Sequence, residues 1–483
     1  MPTPLILHAD RLFPADADTR GVARRLYESV RRLPIVSPHG HTDPQWFADD
    51  APFADPTQLL ITPDHYLLRM LYSLGLPLER LGVRPGGGAG GGAGGGERGH
   101  GPEVAAPREA WRLFAEHYHV FRGTPSRLWL DWALAEVFGL KVRLAADTAD
   151  DCFDAISEQL ATAACRPRAL FERFGIEVLA TTESPLDALP HHQRLRTSGW
   201  PGRVITAFRP DPVVDPECGD FRANLEALSR LTGRDCLRYG DYLDALRERR
   251  RYFAALGATS TDHGHPTAAT ALLSAAEATA LFARVTDAPP ARADAELFRA
   301  HMLTVMAGMS LEDGLVMQIH PGSWRNHNPT LLARFGRDKG ADIPMRTDYV
   351  AALKPLLDCH GNNPKLTLIV FTLDESTYAR ELAPLAGHYP ALKLGPAWWF
   401  HDSPEGMRRF RRQTTETAGF YNTVGFNDDT RAFCSIPARH DVARRIDCGY
   451  LAQLVTEHQL SEEEAGELAG ELAYGLVKRA YRL

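Results

Sequence analysis

The sequence predicts an α/β protein folded as a distorted (β/α)8 barrel of the TIM type, with a helical insertion after the first strand. Three observations lead there. Eight short apolar runs punctuate the 483 residues. From about Phe174 they alternate with helical stretches, and strands joined through helices pair in parallel by right-handed crossovers. A polar or ionisable residue closes run after run, as expected where functional groups gather at the C-terminal edge of barrel strands. The first run, Ile35 to Pro38, leads into His39-Gly40-His41, and the period-two geometry of a strand aims both imidazoles the same way. An open doubly wound sheet is the competing architecture, and the pattern does not separate the two.

Composition narrows the class. With 44% hydrophobic and 24% charged residues, the chain reads as a soluble globular protein, long enough for a barrel and an added domain. Lys+Arg 54 against Asp+Glu 61 leave a formal net charge of -7, and the one dense basic stretch, Arg247 to Arg251, lies in a helical pattern. Nucleic acid is therefore not an expected partner. The 7 cysteines are scattered and never spaced as Cys-X-X-Cys, which reads as the reduced thiols of a cytoplasmic protein. Met1 to Asp10 lacks a basic stretch before an apolar core, and no apolar run approaches ~18 residues, so neither export nor a membrane span is expected. A homo-oligomer is left open.

Taken in order, Val22, Leu26, Val30 and Leu33 recur at helical spacing, and Pro34 ends that helix. After His41 no second strand follows early. Leu59, Leu60, Tyr66, Leu67, Met70 and Leu71 mark helix within Pro52 to Leu81, and further helices are expected at Ala105 to Tyr118, Ser126 to Phe138 and Thr148 to Leu160. The chain accordingly divides into 1–44 (N-terminal helix and first strand), 45–174 (insertion) and 175–483 (the remaining barrel and C-terminal helices). Within the insertion, the glycine-rich tract 86–96 reads as a mobile surface loop. It is not a phosphate loop, because no strand precedes it and no Gly-Lys-Ser/Thr follows. The remaining strands are expected at Ile176 to Thr182, Arg203 to Phe208, Ala258 to Asp262, Leu315 to His320, Leu366 to Thr372, Leu392 to Trp399 and Thr423 to Asp428.

The run-ends carry His39 and His41, Thr181-Thr182-Glu183, Arg209, Asp262-His263, His320, Thr372 with Asp374, Trp398-Trp399, and Asp428-Asp429 with Arg431. On barrel topology these converge on one pocket. Plainer readings exist for each. His263 and His320 can bond backbone carbonyls, one of Asp428 and Asp429 can cap the following helix, Arg209 can pair at the surface with Asp211, and the two tryptophans can be pocket wall.

Longer segments are more specific. Pro38-His39-Gly40-His41, Asp64-His65-Tyr66 with Arg69, Thr181-Thr182-Glu183-Ser184-Pro185-Leu186-Asp187, Phe208-Arg209-Pro210-Asp211, Asp262-His263-Gly264, Gln318-Ile319-His320, Arg325-Asn326, Trp398-Trp399-Phe400, Gly406-Met407, Val424-Gly425-Phe426, Asp429-Thr430-Arg431-Ala432-Phe433 and Arg439-His440-Asp441 with Arg444-Arg445 together resemble the uronate isomerase (glucuronate isomerase) family of the amidohydrolase superfamily. The similarity runs from Asp10 to the C-terminus. Glu183-Ser184 stands where the family often has Asp-Asp, and Asp-Asp-Thr-Arg replaces the commoner Thr-Asp-Ser-Arg around Asp429.

The resemblance implies reversible conversion of D-glucuronate to D-fructuronate and of D-galacturonate to D-tagaturonate, with a hexuronate as the small-molecule partner. Such chemistry needs a base for the C2 proton, an electrophile for an enediolate and an anchor for the carboxylate. The resemblance assigns Asp429 as base, with Tyr66 and neighbouring His65 moving protons or opening the ring. A divalent metal, zinc the first choice, would be held by His39, His41 and Asp429. His320 is a further ligand or a hydrogen-bond donor to substrate. Arg209 and Arg431 would clamp carboxylate and hydroxyls, with His263, Trp398 and Trp399 also lining the substrate. One tension is built in: a carboxylate bound to a dication is a weak base. The alternative reading is a metal-dependent amidohydrolase or lactonase on the same barrel, and a third is a catalytically silent sugar-acid binder.

Overall fold

The computed structural model describes residues 2–86, 104–287 and 289–483, so the glycine-rich tract expected to form a loop lies, from Gly87 to Gly96, outside the described residues. The strands are β1 (Ile35–Ser37), β2 (Ile176–Glu183), β3 (Arg203–Phe208), β4 (Ser260–His263), β5 (Val316–Ile319), β6 (Ser323–Trp324), β7 (Ile343–Pro344), β8 (Leu368–Val370) and β9 (Leu392–Leu394). Seven of them form one sheet in the order β1-β2-β3-β4-β5-β8-β9, while β6 and β7 make a small antiparallel ribbon. Every neighbouring pair in the large sheet is parallel.

The eighth run curls the sheet into a barrel without being a strand. Thr423 bridges Leu394 in parallel, the Val424 N–H donates to the Leu394 carbonyl at 3.1 Å, and beyond it the His41 N–H donates to the Thr430 carbonyl at 3.1 Å. The expected strand Thr423 to Asp428 shrinks to this bridge for a steric reason. Gly425 takes φ 77°, and a Cβ there would lie 2.6 Å from Val477 Cγ2, so the backbone leaves its extended path to admit the helix Leu476–Tyr481. Similarly, β9 stops at Leu394 instead of reaching Trp399. A Cβ on Gly395 would sit 2.4 Å from the Phe371 ring, and Pro396 has no N–H for a sheet neighbour.

The helices between β1 and β2 share their own core. Leu67, Leu68 and Leu71 meet Trp111, Phe114, Tyr118, Phe121 and Ile156, and Ile35 and Ile176 carry that core into the barrel. Each such side chain, fully buried, contributes roughly 1.5–3 kcal/mol. One of these helices, His65–Tyr72, starts at an Asp64 cap whose carboxylate accepts the N–H groups of Tyr66 and Leu67 at 2.9 and 3.3 Å, a contact worth ~1 kcal/mol. The cap sets where Tyr66 points.

The helix Ile436–Thr456 has most of its residues buried. Its Arg444 donates to the carbonyls of Arg31, Leu33 and Pro34 at 3.0, 2.9 and 3.0 Å. Those bonds hold the turn that follows the first helix, Ala17–Val30, and feeds β1.

Candidate active site

His39, buried beyond the end of β1, is the hub of the site. Its Nε2 lies 3.6 Å from Asp429 Oδ1 and 3.9 Å from Asp262 Oδ2, and His41 Nε2 lies 3.2 Å from the same Asp429 oxygen. His320 Nδ1 donates to Asp262 Oδ1 at 2.7 Å, and its ring stacks on His39 with centroids 4.8 Å apart. Arg209 spans two carboxylates, Asp262 Oδ2 at 3.0 Å and Asp211 Oδ2 at 2.8 Å. Trp398 Nε1 donates to Asp429 Oδ2 at 2.6 Å. Asp429 itself sits at φ 36°, a left-handed conformation that costs a non-glycine residue on the order of 1–3 kcal/mol and marks a site where position matters more than backbone ease.

Charge follows from these neighbours. Burial works to raise the Asp429 carboxyl, but His39, His41 and His320 outweigh it and hold the group well below the usual carboxylate range. Burial likewise opposes ionisation of Asp262, and Arg209, His39 and His320 overcome it. His41 goes the other way: burial lowers it to about 4 against the pull of Asp429. Near neutral pH both carboxylates are anions and His41 is a neutral imidazole, the protonation states that bind a cation.

The donor set fits a divalent metal. Two groups, His39 with His41 and Asp429, and His39 with Asp262 and His320, each bring their ligand atoms within 4.8 Å of one another. His320 Nε2 is buried without a hydrogen-bond partner, which is costly for a polar atom that nothing else satisfies. Since Nδ1 of His320 keeps the proton of its hydrogen bond to Asp262, the lone pair of the neutral ring is on Nε2. Thr182 Oγ1 stands 3.5 Å from His39 Nδ1, on the side away from those carboxylates, as an outer partner of a ligating imidazole does.

A second group enters from the insertion. Tyr66 OH donates to Asp402 Oδ2 at 2.8 Å, and Arg439 Nη1 donates to the same oxygen at 2.7 Å. His65 stacks on Tyr66 with centroids 4.9 Å apart and meets Trp399 edge-on at 5.5 Å. Burial, then the nearby Arg431, pushes His65 down to about 3, and it feels Asp429 as well. Burial and the Asp402 charge raise the Tyr66 phenol well above its ordinary value, so it is a proton-bearing group near neutral pH. Arg431 Nη2 meets Asp338 Oδ2 at 3.0 Å, and Arg325 lies 5.2 Å over the Trp399 ring.

Of the residues expected from sequence, His39, His41, Asp429, His320 and Trp398 are in direct contact, Arg209 joins them through Asp262, and Tyr66, His65, Arg431 and Trp399 form the adjoining wall. His263 is the exception. Alternation along β4 turns it to the opposite face from Asp262, where its Nε2 lies 3.0 Å from Thr261 Oγ1 and its ring near His265. Asp262, one position earlier, is the residue that reaches the cluster. Neither Asp428 nor Asp429 caps the next helix: Asp428 turns to His440 Nε2 at 3.0 Å, and the helix from Ile436 has no side-chain cap. Arg209 is a half-buried bridge that reaches the wholly buried Asp262 as well as Asp211, not a surface pair. Sequence reasoning gave no role to Asp402, Asp338 or Arg439. The first two sit in loops with no periodicity to read, whereas Arg439 had one usable signal, a charge inside a helix with no polar face.

Comparison with known proteins identifies the family and the fold. The glucuronate isomerase family model matches residues 16–83 and 98–481. A uronate isomerase of Rhizorhabdus wittichii is 70% identical over 480 residues, covering 99% of each chain. The crystal structure of glucuronate isomerase from Caulobacter crescentus, 60% identical, superimposes with TM-score 0.95 over 99% of this chain and 97% of that one. Uronate isomerase from Thermotoga maritima, at 23% identity, shares the fold with TM-score 0.89 over 99% of each chain. The chain belongs to the glucuronate isomerase family.

Proposed function

We propose that the protein interconverts aldohexuronates and ketohexuronates, D-glucuronate with D-fructuronate and D-galacturonate with D-tagaturonate, by proton transfer through an enediolate. The observation that carries the reading is the meeting at one barrel mouth of an ionised Asp429, a proton-bearing Tyr66 and the Arg431 fork. A hydrolase needs an activated water and a donor for a leaving group; an aldose–ketose isomerase needs a base, a hydroxyl able to pass a proton between two oxygens, and positive charge near both.

In the open-chain substrate, Asp429 takes the C2 proton and delivers it to C1. Tyr66 moves the hydroxyl proton from O2 to O1 as the double bond shifts. Arg431 supplies planar N–H donors to the hydroxyls around the enediolate, and Arg209, committed to Asp262 and Asp211, adds positive charge at the cluster. Trp399 and His65 wall the pocket against water. A divalent ion, zinc the first choice, would be held by His39, His41 and Asp429 with Asp262 and His320 beside them, and supplies a positive charge for substrate oxygens. Because Asp429 is held so strongly ionised, it is a weak base. Abstraction at C2 therefore depends on hydrogen bonds to the C1 carbonyl that acidify the carbon.

The reading places the enzyme in the cytoplasm, supported by seven cysteines that are all free. The test is to follow ketose formation from D-glucuronate and D-galacturonate by 13C NMR, with and without chelator, beside a panel of amides and lactones. Ketose formation with an inert panel supports the reading; hydrolysis of the panel without ketose rejects it.

A further inference from the structure

We propose that Asp402 is a positioning residue that acts through Tyr66, taking the phenol proton as the phenol takes one from a substrate hydroxyl, and then returning it. The proposal rests on the isomerase reading above. Its ground is the direction of one hydrogen. Tyr66 OH donates to Asp402 Oδ2 at 2.8 Å, so the phenol presents lone pairs, not its proton, to the pocket. To pass a proton from O2 to O1 alone, the phenol would have to swing away from a buried carboxylate and leave that charge with one donor fewer. With Asp402 as partner, no swing is needed.

The surroundings of Asp402 suit a transient proton. The residue is 5% exposed, and its Oδ1 is buried with no hydrogen-bond partner. Arg439, the second donor to Oδ2 at 2.7 Å, is fixed by its own contacts: it lies 3.5 Å over the Trp129 ring and its Nε donates to Ser435 Oγ at 3.1 Å. The charged and titratable groups facing this carboxylate are Tyr66 and Arg69 from the helix His65–Tyr72, Arg439 from the helix Ile436–Thr456, and Asp429 from the barrel mouth. Burial pushes Asp402 up to about 6, against Arg439 and Tyr66, and Asp429 adds to the rise. The carboxyl thus accepts a proton at low cost near neutral pH, while the phenol does not ionise unaided.

The proton count closes. In the first half, the O2 proton goes to the Tyr66 oxygen as the phenol proton goes to Asp402. In the second, the Asp402 proton returns to the Tyr66 oxygen as the phenol proton goes to O1. Asp402 and Tyr66 end as they began, and the substrate has moved one hydroxyl proton.

The experiment measures kcat and KM on D-glucuronate for the wild-type enzyme, Tyr66→Phe, Asp402→Asn and the double variant, with a melting curve for each. Each single variant is expected to lose about 10²-fold in kcat, the lower end for general acid–base catalysis, with the loss in kcat and not in KM. The double variant should fall no more than about threefold below Tyr66→Phe, because residues acting as one unit are not additive. Losses that multiply in the double variant, or an Asp402→Asn enzyme with wild-type kcat, overturn the proposal. A wild-type enzyme that makes no ketose overturns the isomerase reading instead. If Asp402→Asn does not fold, stranding Arg439, the acid limb of kcat decides. Wild-type kcat should fall as pH drops through about 6, and Tyr66→Phe, which lacks only an oxygen, should lack that limb. An unchanged limb in Tyr66→Phe overturns the proposal.

Discussion

Replacing Trp398 with phenylalanine isolates the hydrogen bond that aims Asp429. The indole N–H donates to Oδ2 at 2.6 Å, and no other side-chain donor reaches that oxygen among the described residues. Trp398 is 6% exposed, so water does not readily take the place of the indole. A hydrogen bond to a charged group contributes roughly 1.5–3 kcal/mol, and each 1.4 kcal/mol is about tenfold in a rate or equilibrium constant. Trp398→Phe should therefore lower kcat/KM on D-glucuronate by about 10- to 100-fold. The phenyl ring keeps much of the packing against His320 and Phe371, whose centroids lie 4.7 and 6.0 Å from the indole, so the fold should survive. Steady-state kinetics, with a melting curve and bound-metal content on the same sample, read the effect. A variant with kcat/KM unchanged refutes the idea that this bond orients the carboxylate.

Other perturbations separate the parts of the site from the scaffold. Asp429→Asn should cut kcat by about 10²–10⁴-fold with the circular dichroism spectrum unchanged; a near wild-type rate would remove Asp429 from the chemistry. Glu183, pushed up by burial from 4.5 to about 8, is protonated in the folded chain, so its stabilisation is complete below its unfolded value and is lost as pH rises through about 8. Melting temperatures of the wild type should drop over that window, and Glu183→Gln should lack the drop; parallel curves would sink the assignment. Arg250 is wholly buried and pairs with Asp313 at 2.6 Å and Ser310 Oγ at 2.9 Å. Arg250→Met should cost about 3 kcal/mol in urea unfolding, the lower end for breaking a buried pair, because Asp313 keeps 18% exposure; no measurable loss would contradict it.

Much of the barrel was legible because its signals are local. Runs such as Arg203 to Phe208 coincide with β3 to the residue, and the first helix is present where the periodicity of Val22, Leu26 and Val30 puts it, although it ends at Val30 and leaves Leu33 in the turn before Pro34. Failures came where a tertiary contact decides. Gly425 and Gly395 yield the extended path to Val477 and Phe371, and those partners are distant in sequence. The site divides the same way. His39 and His41 announce themselves by spacing, whereas Arg431 is marked out by the resemblance of its segment to the family pattern. Choosing His263 over Asp262 was an error of one residue, and a strand converts one residue into opposite faces. Asp402 reaches Tyr66 across 336 positions, and only the folded insertion brings them together.

The most direct measurement follows the substrate's C2 hydrogen. D-glucuronate is converted in D2O and both sugars are examined by NMR from the first turnover to long after equilibrium. Proton transfer by one base shielded from water predicts that the C2 hydrogen is carried largely to C1 in the first turnover, and that solvent deuterium then builds up at C1 of the D-fructuronate and at C2 of the recovered aldose as the proton held on Asp429 exchanges between the two steps. Sugars that interconvert over many turnovers with no solvent deuterium at either carbon, as a hydride shift from C2 to C1 requires, would contradict proton transfer by Asp429.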